Sequence, residues 1–315
     1  MSIALESTAV HSLAIASGKG GVGKSFLAMN LAWCLGELGQ RVLLVELDAD
    51  AGGLSIAAGL GEPPVTRPAR DVQELAHRVV TVPGTTHVHL LRASDLAPQW
   101  MRTPSALESV LASVGAPLRI QWRIFDLAPG LSGPAVMWFG RVERAILIGT
   151  PELVSVQAML RFHKQAKYQH AYEYLLRAEP GLRDCGPSLK AAREKLFSLR
   201  DATGAQQCWD RALRSFHAPQ WVFNRCLTDD AAQLTRIRSY LANHVAEGAS
   251  LTAEMIPEDE AQLRCARYGR ILLRYESESP AARAIRRIGD TLVAAEASAS
   301  ERVTHRLQPH MAMAG

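Results

Sequence analysis

Long apolar runs are missing from this 315-residue chain, although 48% of it is hydrophobic. No stretch of about 18 or more uncharged apolar residues occurs, which argues against a membrane span. The opening MSIALESTAVHS has no basic segment followed by an apolar core, so a cytoplasmic protein without a secretory signal is expected. Cysteine is scarce as well: Cys34, Cys185, Cys208, Cys226 and Cys265 are scattered, with no CxxC pair. Zinc and iron–sulfur sites need closely spaced ligands, so these residues read as reduced structural thiols. The histidines are equally dispersed. His87 and His89 are expected on one strand face and His163 and His170 two helical turns apart, but neither pair has an acid at ligand spacing, so they read as structural or surface residues. Lysine is rarest of the charged residues, only six of 35 basic side chains, so arginine carries most of the net charge of +4. Arginine suits phosphate contacts, yet this balance alone selects no function.

What is present is a rhythm of short apolar strands and helical stretches. His11 to Ser17 reads as a strand, a glycine-rich turn follows, and Phe26 to Leu38 has helical spacing. Gly39 stops that helix, and Arg41 to Leu47 is a second buried strand. Strand, loop, helix and strand make a βαβ unit and imply a parallel sheet. Further strands are expected at Val88–Leu91, Ile120–Leu127, Ala145–Gly149, Pro219–Asn224 and Ser250–Ile256, with a helix at Ser105–Val114. The fold class expected is α/β, a doubly wound, mostly parallel sheet covered on both faces.

The stretch from about Leu160 to His217 departs from this rhythm and shows only helical pattern, at Phe162–Ala178, Ser188–Leu199 and Ala205–Phe216. It reads as a helical insertion (residues 160–217) within a single domain, with a flexible tail over 298–315. Its aromatics Tyr168, Tyr172, Tyr174 and Trp209 are either a small core or a partner surface.

Residues 17–25 read SGKGGVGKS. Gly18-x-x-x-x-Gly23-Lys24-Ser25, after a strand and before a helix, is a phosphate loop of P-loop NTPases. Its glycines let successive backbone N–H groups turn toward phosphate, aided by the helix dipole. Lys24 supplies charge at the β- and γ-phosphates of ATP, and the Ser25 hydroxyl suits Mg²⁺. After the second strand come Asp48 and Asp50, spaced to point the same way, and Asp126-Leu-Ala-Pro-Gly130 ends a later strand. An aspartate there, four residues before glycine, fits a magnesium-supporting element whose Gly130 N–H senses the γ-phosphate.

The second lysine, Lys19 in KGGVGK, makes this loop resemble the deviant Walker A motif of the MinD/ParA superfamily. That resemblance implies nucleotide contacts over Gly18, Gly20, Gly21, Val22, Gly23, Lys24, Ser25 and Phe26. It also implies that Lys19 reaches across a homodimer to the partner's nucleotide, that Asp48 holds a Mg²⁺-bound water and that Asp50 orients the attacking water. Ser55 stands where MinD-type proteins usually carry asparagine. Val222-Phe-Asn224-Arg225 resembles a strand end whose asparagine reads adenine, and Ile256-Pro257-Glu258-Asp259 the loop that closes over the base. With the C-terminal stretch from Gln262, these features look most like the MinD/FlhG branch.

The resemblance implies a slow, dimer-dependent ATPase whose ATP state recruits an unidentified regulatory protein to position, or set the number of, a cellular structure. A membrane surface and non-specific nucleoid DNA are the two further candidate partners. Val303, Leu307 and Met311 share a helical face for the first, interrupted by Pro309. The second, as in ParA-type partition proteins, rests on Arg264, Arg267, Arg270, Arg274, Arg283, Arg286 and Arg287. The same arginines also fit a solvated helix face balanced by Glu276, Glu278 and Asp290.

Overall fold

The computed structural model describes residues 10–48, 53–61, 67–185, 188–227, 231–245 and 253–307. The apolar start of the chain forms β1 (His11–Ser17), and α1 (Lys24–Glu37) carries it to β2 (Val42–Leu47). Then come α2 (Gly53–Ala57), α3 (Val72–His77), β3 (Val80–Thr81), β4 (Val88–Leu91), α4 (Pro98–Arg102) and α5 (Pro104–Gly115). The middle of the chain holds β5 (Trp122–Leu127), α6 (Gly133–Phe139), β6 (Arg144–Gly149), α7 (Leu153–Ala178), α8 (Leu189–Leu199) and α9 (Ala202–Arg214). Last are β7 (Gln220–Cys226), α10 (Ala231–His244), β8 (Ala253–Pro257), α11 (Glu260–Arg267), α12 (Leu272–Tyr275) and α13 (Pro280–Leu307).

The strands form one eight-stranded sheet in the order β3-β4-β2-β5-β1-β6-β7-β8. All neighbours are parallel except β3, which runs antiparallel to β4 at the edge. β4 begins after His87, so His87 and His89 do not share a strand face; His89 is buried beside Thr81.

Side chains alternate across the pleat, and the alternation divides the interior in two. Leu13, Ile15, Leu44 and Ile124 face one layer, made by α1, α11, α12 and α13. Ala14, Ala16, Val45, Phe125 and Leu127 face the other, where α5, α6, α7 and α10 pack. α1 is apolar on nearly every side because it lies between the sheet and α13. Its buried Asn30 is satisfied by donating to the Phe26 carbonyl and accepting from the Leu273 N–H.

α7 starts at Leu153 rather than at Phe162, so the segment expected as an insertion is continuous with the crossover helix after β6. Beyond it, Ala171, Leu175, Leu182, Ala192, Leu196, Ala205 and Ala212 form a separate small core. Tyr172, Tyr174 and Trp209 pack against that core, whereas Tyr168 is exposed. Ser188 and Asp201 cap α8 and α9 by accepting from the N–H groups of Ala191 and Gly204. Among the described residues no helix is long and apolar enough to cross a membrane. The backbone of α13 runs to Leu307; Pro309 and Met311 lie outside the described residues.

Candidate nucleotide site

The sheet order brings the three expected motifs together. β2, β5 and β1 are adjacent, and Asp126 is in register with Glu46 on one side and Ile15 on the other. Ligands of open α/β sheets bind at the carboxyl ends of strands where the strand order reverses, and this is such a point. Asp126 lies in the same pleat phase as Ile124 and therefore points toward α1, whose first residue is Lys24. The outcome is a buried ion pair: Lys24 Nζ donates to Asp126 Oδ1 at 2.5 Å, with the two side chains 7% and 1% exposed.

The pair leaves Asp126 Oδ2 buried without a hydrogen-bond partner among the described residues. Burial pushes the Asp126 carboxyl up, opposed by the Lys24 charge and by the Ser25 hydroxyl, while the Asp48 charge adds to the rise. Asp48 is buried just past the end of β2. Glu46 sits beneath it, given no role by the sequence reading: it accepts from the Leu54 and Ala93 N–H groups, and burial raises its pKa. Asp50 lies outside the described residues. Ser55 is buried and takes a hydrogen bond from Arg92 Nε at 3.2 Å.

The phosphate loop has the shape an anion cradle requires. Gly21 and Gly23 adopt φ values of +76° and +95°, which turn the backbone N–H groups inward. Open space lies beside Gly20 and Gly21, so no side chain among the described residues fills the cradle. An orphaned carboxylate oxygen, a lysine, a serine hydroxyl and an open glycine cradle are the donor set that a magnesium–nucleoside polyphosphate needs.

Two long-range contacts fix the loop, and neither was expected. A Cβ on Gly18 would lie 2.3 Å from the Ala158 carbonyl carbon, so the loop rests directly on the α7 backbone. On the other side Asn224 Nδ2 donates to the Val22 carbonyl at 2.9 Å, while Asn224 Oδ1 accepts from Gln262 at 2.9 Å. Asn224 thus holds the loop in this structure. Pro257 ends β8 opposite Cys226, and Asp259 caps α11 while also accepting from the Ala281 N–H. Phe26 is half-buried against the α1 layer.

Lys19 stands apart from this cluster. Its Nζ lies 3.8 Å from Glu152, with the side chains 40% and 65% exposed. A hydrogen bond from Thr150 holds the Glu152 carboxyl below its ordinary range, helped by the charge of Lys19. Gly130, at φ +74°, directs its N–H to the Ser17 carbonyl at 2.9 Å. Exposed Leu131, Leu153 and Val154 follow Gly130 and Glu152 in the chain, so apolar surface rims the mouth of the site.

The CobQ/CobB/MinD/ParA nucleotide binding domain model matches residues 13–273. Among curated relatives, the septum site-determining protein MinD of Thermotoga maritima is 28% identical over 153 residues, covering 46% of this chain and 54% of that protein. The chain spans about half the length of the curated relatives it matches. Among solved structures, a chain of the MinC:MinD cell division protein complex of Aquifex aeolicus superposes with a TM-score of 0.58 at 17% identity, covering 90% of this chain and 96% of that one. The septum site-determining protein MinD of Pyrococcus horikoshii, complexed with Mg-ADP, gives 0.57 at 18% identity, covering 90% and 96%. These structural likenesses concern the fold.

Proposed function

The chain belongs to the CobQ/CobB/MinD/ParA nucleotide-binding domain family, and from that premise we propose that it is an ATPase switch whose hydrolysis depends on a homodimer. When bound, Mg·ATP supplies the phosphoanhydride to be cleaved and the metal charge that offsets its negative charge. The backbone N–H groups from Gly18 to Ser25 wrap the phosphates, with Gly20, Gly21, Val22 and Gly23 at the cradle and Phe26 behind it. With Mg·ATP bound, Lys24 would turn to the phosphate oxygens, and Asp126, Ser25 and Asp48 would hold Mg²⁺. Asp50 orients the attacking water. Asn224 and Pro257 belong to the base end of the site.

Lys19 carries the dimer reading. It is directed out of its own loop toward exposed Glu152, beside the exposed apolar Leu131, Leu153 and Val154. An exposed pair of this kind contributes about 0–1 kcal/mol, so it does not hold Lys19 at home. Covering that apolar rim with a second copy puts each Lys19 at the partner's site, where a fixed positive charge stabilises the transition state.

The partner of the ATP state is a regulatory protein, in a positioning or number-control role of the MinD or FlhG kind. Non-specific DNA binding is the weaker reading, because much of the arginine cluster is already engaged. Arg264 pairs with Glu276 and Glu260, Arg286 pairs with Glu37, and Arg274 and Arg283 donate to carbonyls of Pro83 and Glu278.

The test is the hydrolysis rate per chain as a function of protein concentration. The rate should rise with concentration for the wild type and stay low and flat for Lys19→Ala, with Mg·ADP affinity unchanged. A concentration-independent wild-type rate, or full activity in Lys19→Ala, would exclude the trans role.

A further inference from the structure

A cavity of about 650 Å³ lies along α7 from Gln157 to Tyr168, bordered by Leu213 of α9, Tyr240 of α10 and Val245 beyond it. Small-molecule sites commonly have about 300–1,000 Å³, so this one is large enough for a mononucleotide. Three cations of α7 line it, Arg161, Lys164 and Lys167, spaced i, i+3, i+6 and so spread over about 9 Å of helix. Arg161 and Lys164 make no ion pair among the described residues. Lys164 instead lies 5.6 Å from the ring centre of Tyr168, a second aromatic wall of the cavity.

The floor is His163, only 7% exposed. Its ring packs against Phe216 and Trp221 at 5.5 and 5.6 Å, and neither ring nitrogen has a hydrogen-bond partner among the described residues. Burial, with the Lys167 charge adding to it, lowers its pKa to about 4, so the imidazole is neutral and keeps one N–H to donate. His163 lines the cavity, so an acceptor atom of a ligand there can take that hydrogen bond.

We propose that this cleft is a second ligand site, taking a phosphate-bearing aromatic compound of nucleotide size, with its phosphates on Arg161, Lys164 and Lys167 and its ring against Tyr168 and Tyr240. A concave cavity with a buried donor at its floor fits a small molecule better than a flat protein surface. The site belongs to the helix that also carries the backbone of Ala158, against which Gly18 of the phosphate loop rests. It does not depend on the ATPase reading.

The test uses the full chain with the phosphate loop saturated by Mg·ADP and the fluorescent anion anilinonaphthalene sulfonate as probe. The wild type should bind one probe per chain, displaced by inorganic pyrophosphate in excess magnesium. Arg161→Glu/Lys164→Glu, which reverses charge, and Leu213→Trp, which fills the cavity, should each weaken the probe at least about ten-fold with Mg·ADP affinity unchanged. Equal probe affinity in the wild type and both variants would overturn the proposal. So would displacement by a hexaglutamate peptide but not by pyrophosphate, which would make the cleft a peptide groove. Failure to bind Mg·ADP would instead count against the nucleotide site.

Discussion

Replacing Lys24 by methionine separates the structural role of this lysine from its role toward phosphate. In the nucleotide-free protein its ammonium is the charge beside Asp126, at 2.5 Å, and the other carboxylate oxygen is already without a partner among the described residues. Lys24→Met therefore strands a buried carboxylate. Breaking one side of a buried pair costs about 3–5 kcal/mol, a large share of the roughly 5–15 kcal/mol that holds a domain together. The cost must depend on pH. Burial already raises the Asp126 pKa in the folded state, and losing Lys24 raises it further. A carboxyl whose folded pKa lies above its unfolded value binds more protons when folded, so its penalty appears as pH rises from the ordinary carboxylate range toward the folded pKa. The difference from wild type should grow with pH by up to about 1.4 kcal/mol per unit in that window. Asp126→Asn added to Lys24→Met removes the stranded charge and should recover most of the loss. Urea unfolding without nucleotide at pH 4.5, near the ordinary carboxylate range, and at pH 8, for wild type, single and double variants, measures all of this. A Lys24→Met variant as stable as the double variant at pH 8, or with the same deficit at both pH values, would refute the reasoning.

Gly18→Ala should destabilise by about 1–3 kcal/mol, because its Cβ meets the Ala158 backbone at 2.3 Å, whereas Gly20→Ala faces open space and should unfold like wild type. Thermal melts of both check this, and equal melting temperatures would contradict the close approach. Asn224→Ala removes the hydrogen bond to Val22 and leaves Gln262 without its acceptor, for a loss of about 1–3 kcal/mol and weaker Mg·ADP binding in calorimetry. An unchanged enthalpy and affinity would mean the loop needs no such support. His163, held neutral with a pKa of about 4, takes up a proton on unfolding below its ordinary pKa. Its contribution is complete above about pH 6.5 and is lost as pH falls toward 4, roughly 3 kcal/mol in all. His163→Leu should lose less stability than wild type across that window, read as the shift in urea midpoint; parallel pH profiles would contradict it.

The elements most legible in the sequence were those whose signal is local. β1, the loop and α1 announce themselves by an apolar run, a glycine pattern and helical spacing in order, and β4 was bounded to the residue. Short elements carried too little periodicity, which is why α6 and the two-residue β3 were missed. The start of α7 was missed because its first apolar residues, Leu153 and Val154, are exposed and so break the buried-face pattern. Within the site, motif and context single out Lys19, Lys24, Ser25, Asp48 and Asp126, and the fold brings Lys24 and Asp126 into contact. Glu152 beside Lys19 and Gln262 beside Asn224 were not, since each contact joins residues far apart in the chain. The α7 cavity was invisible for the same reason: it exists only where α7, α9 and α10 meet.

The central claim, that ATP makes this protein a dimer and hydrolysis undoes it, is tested most directly by the solution molar mass of Asp50→Ala. That substitution removes the residue proposed to orient the attacking water and should trap the ATP state. The account predicts twice the chain mass with Mg·ATP and the chain mass with Mg·ADP. The same mass with both nucleotides, each shown to be bound, would contradict it.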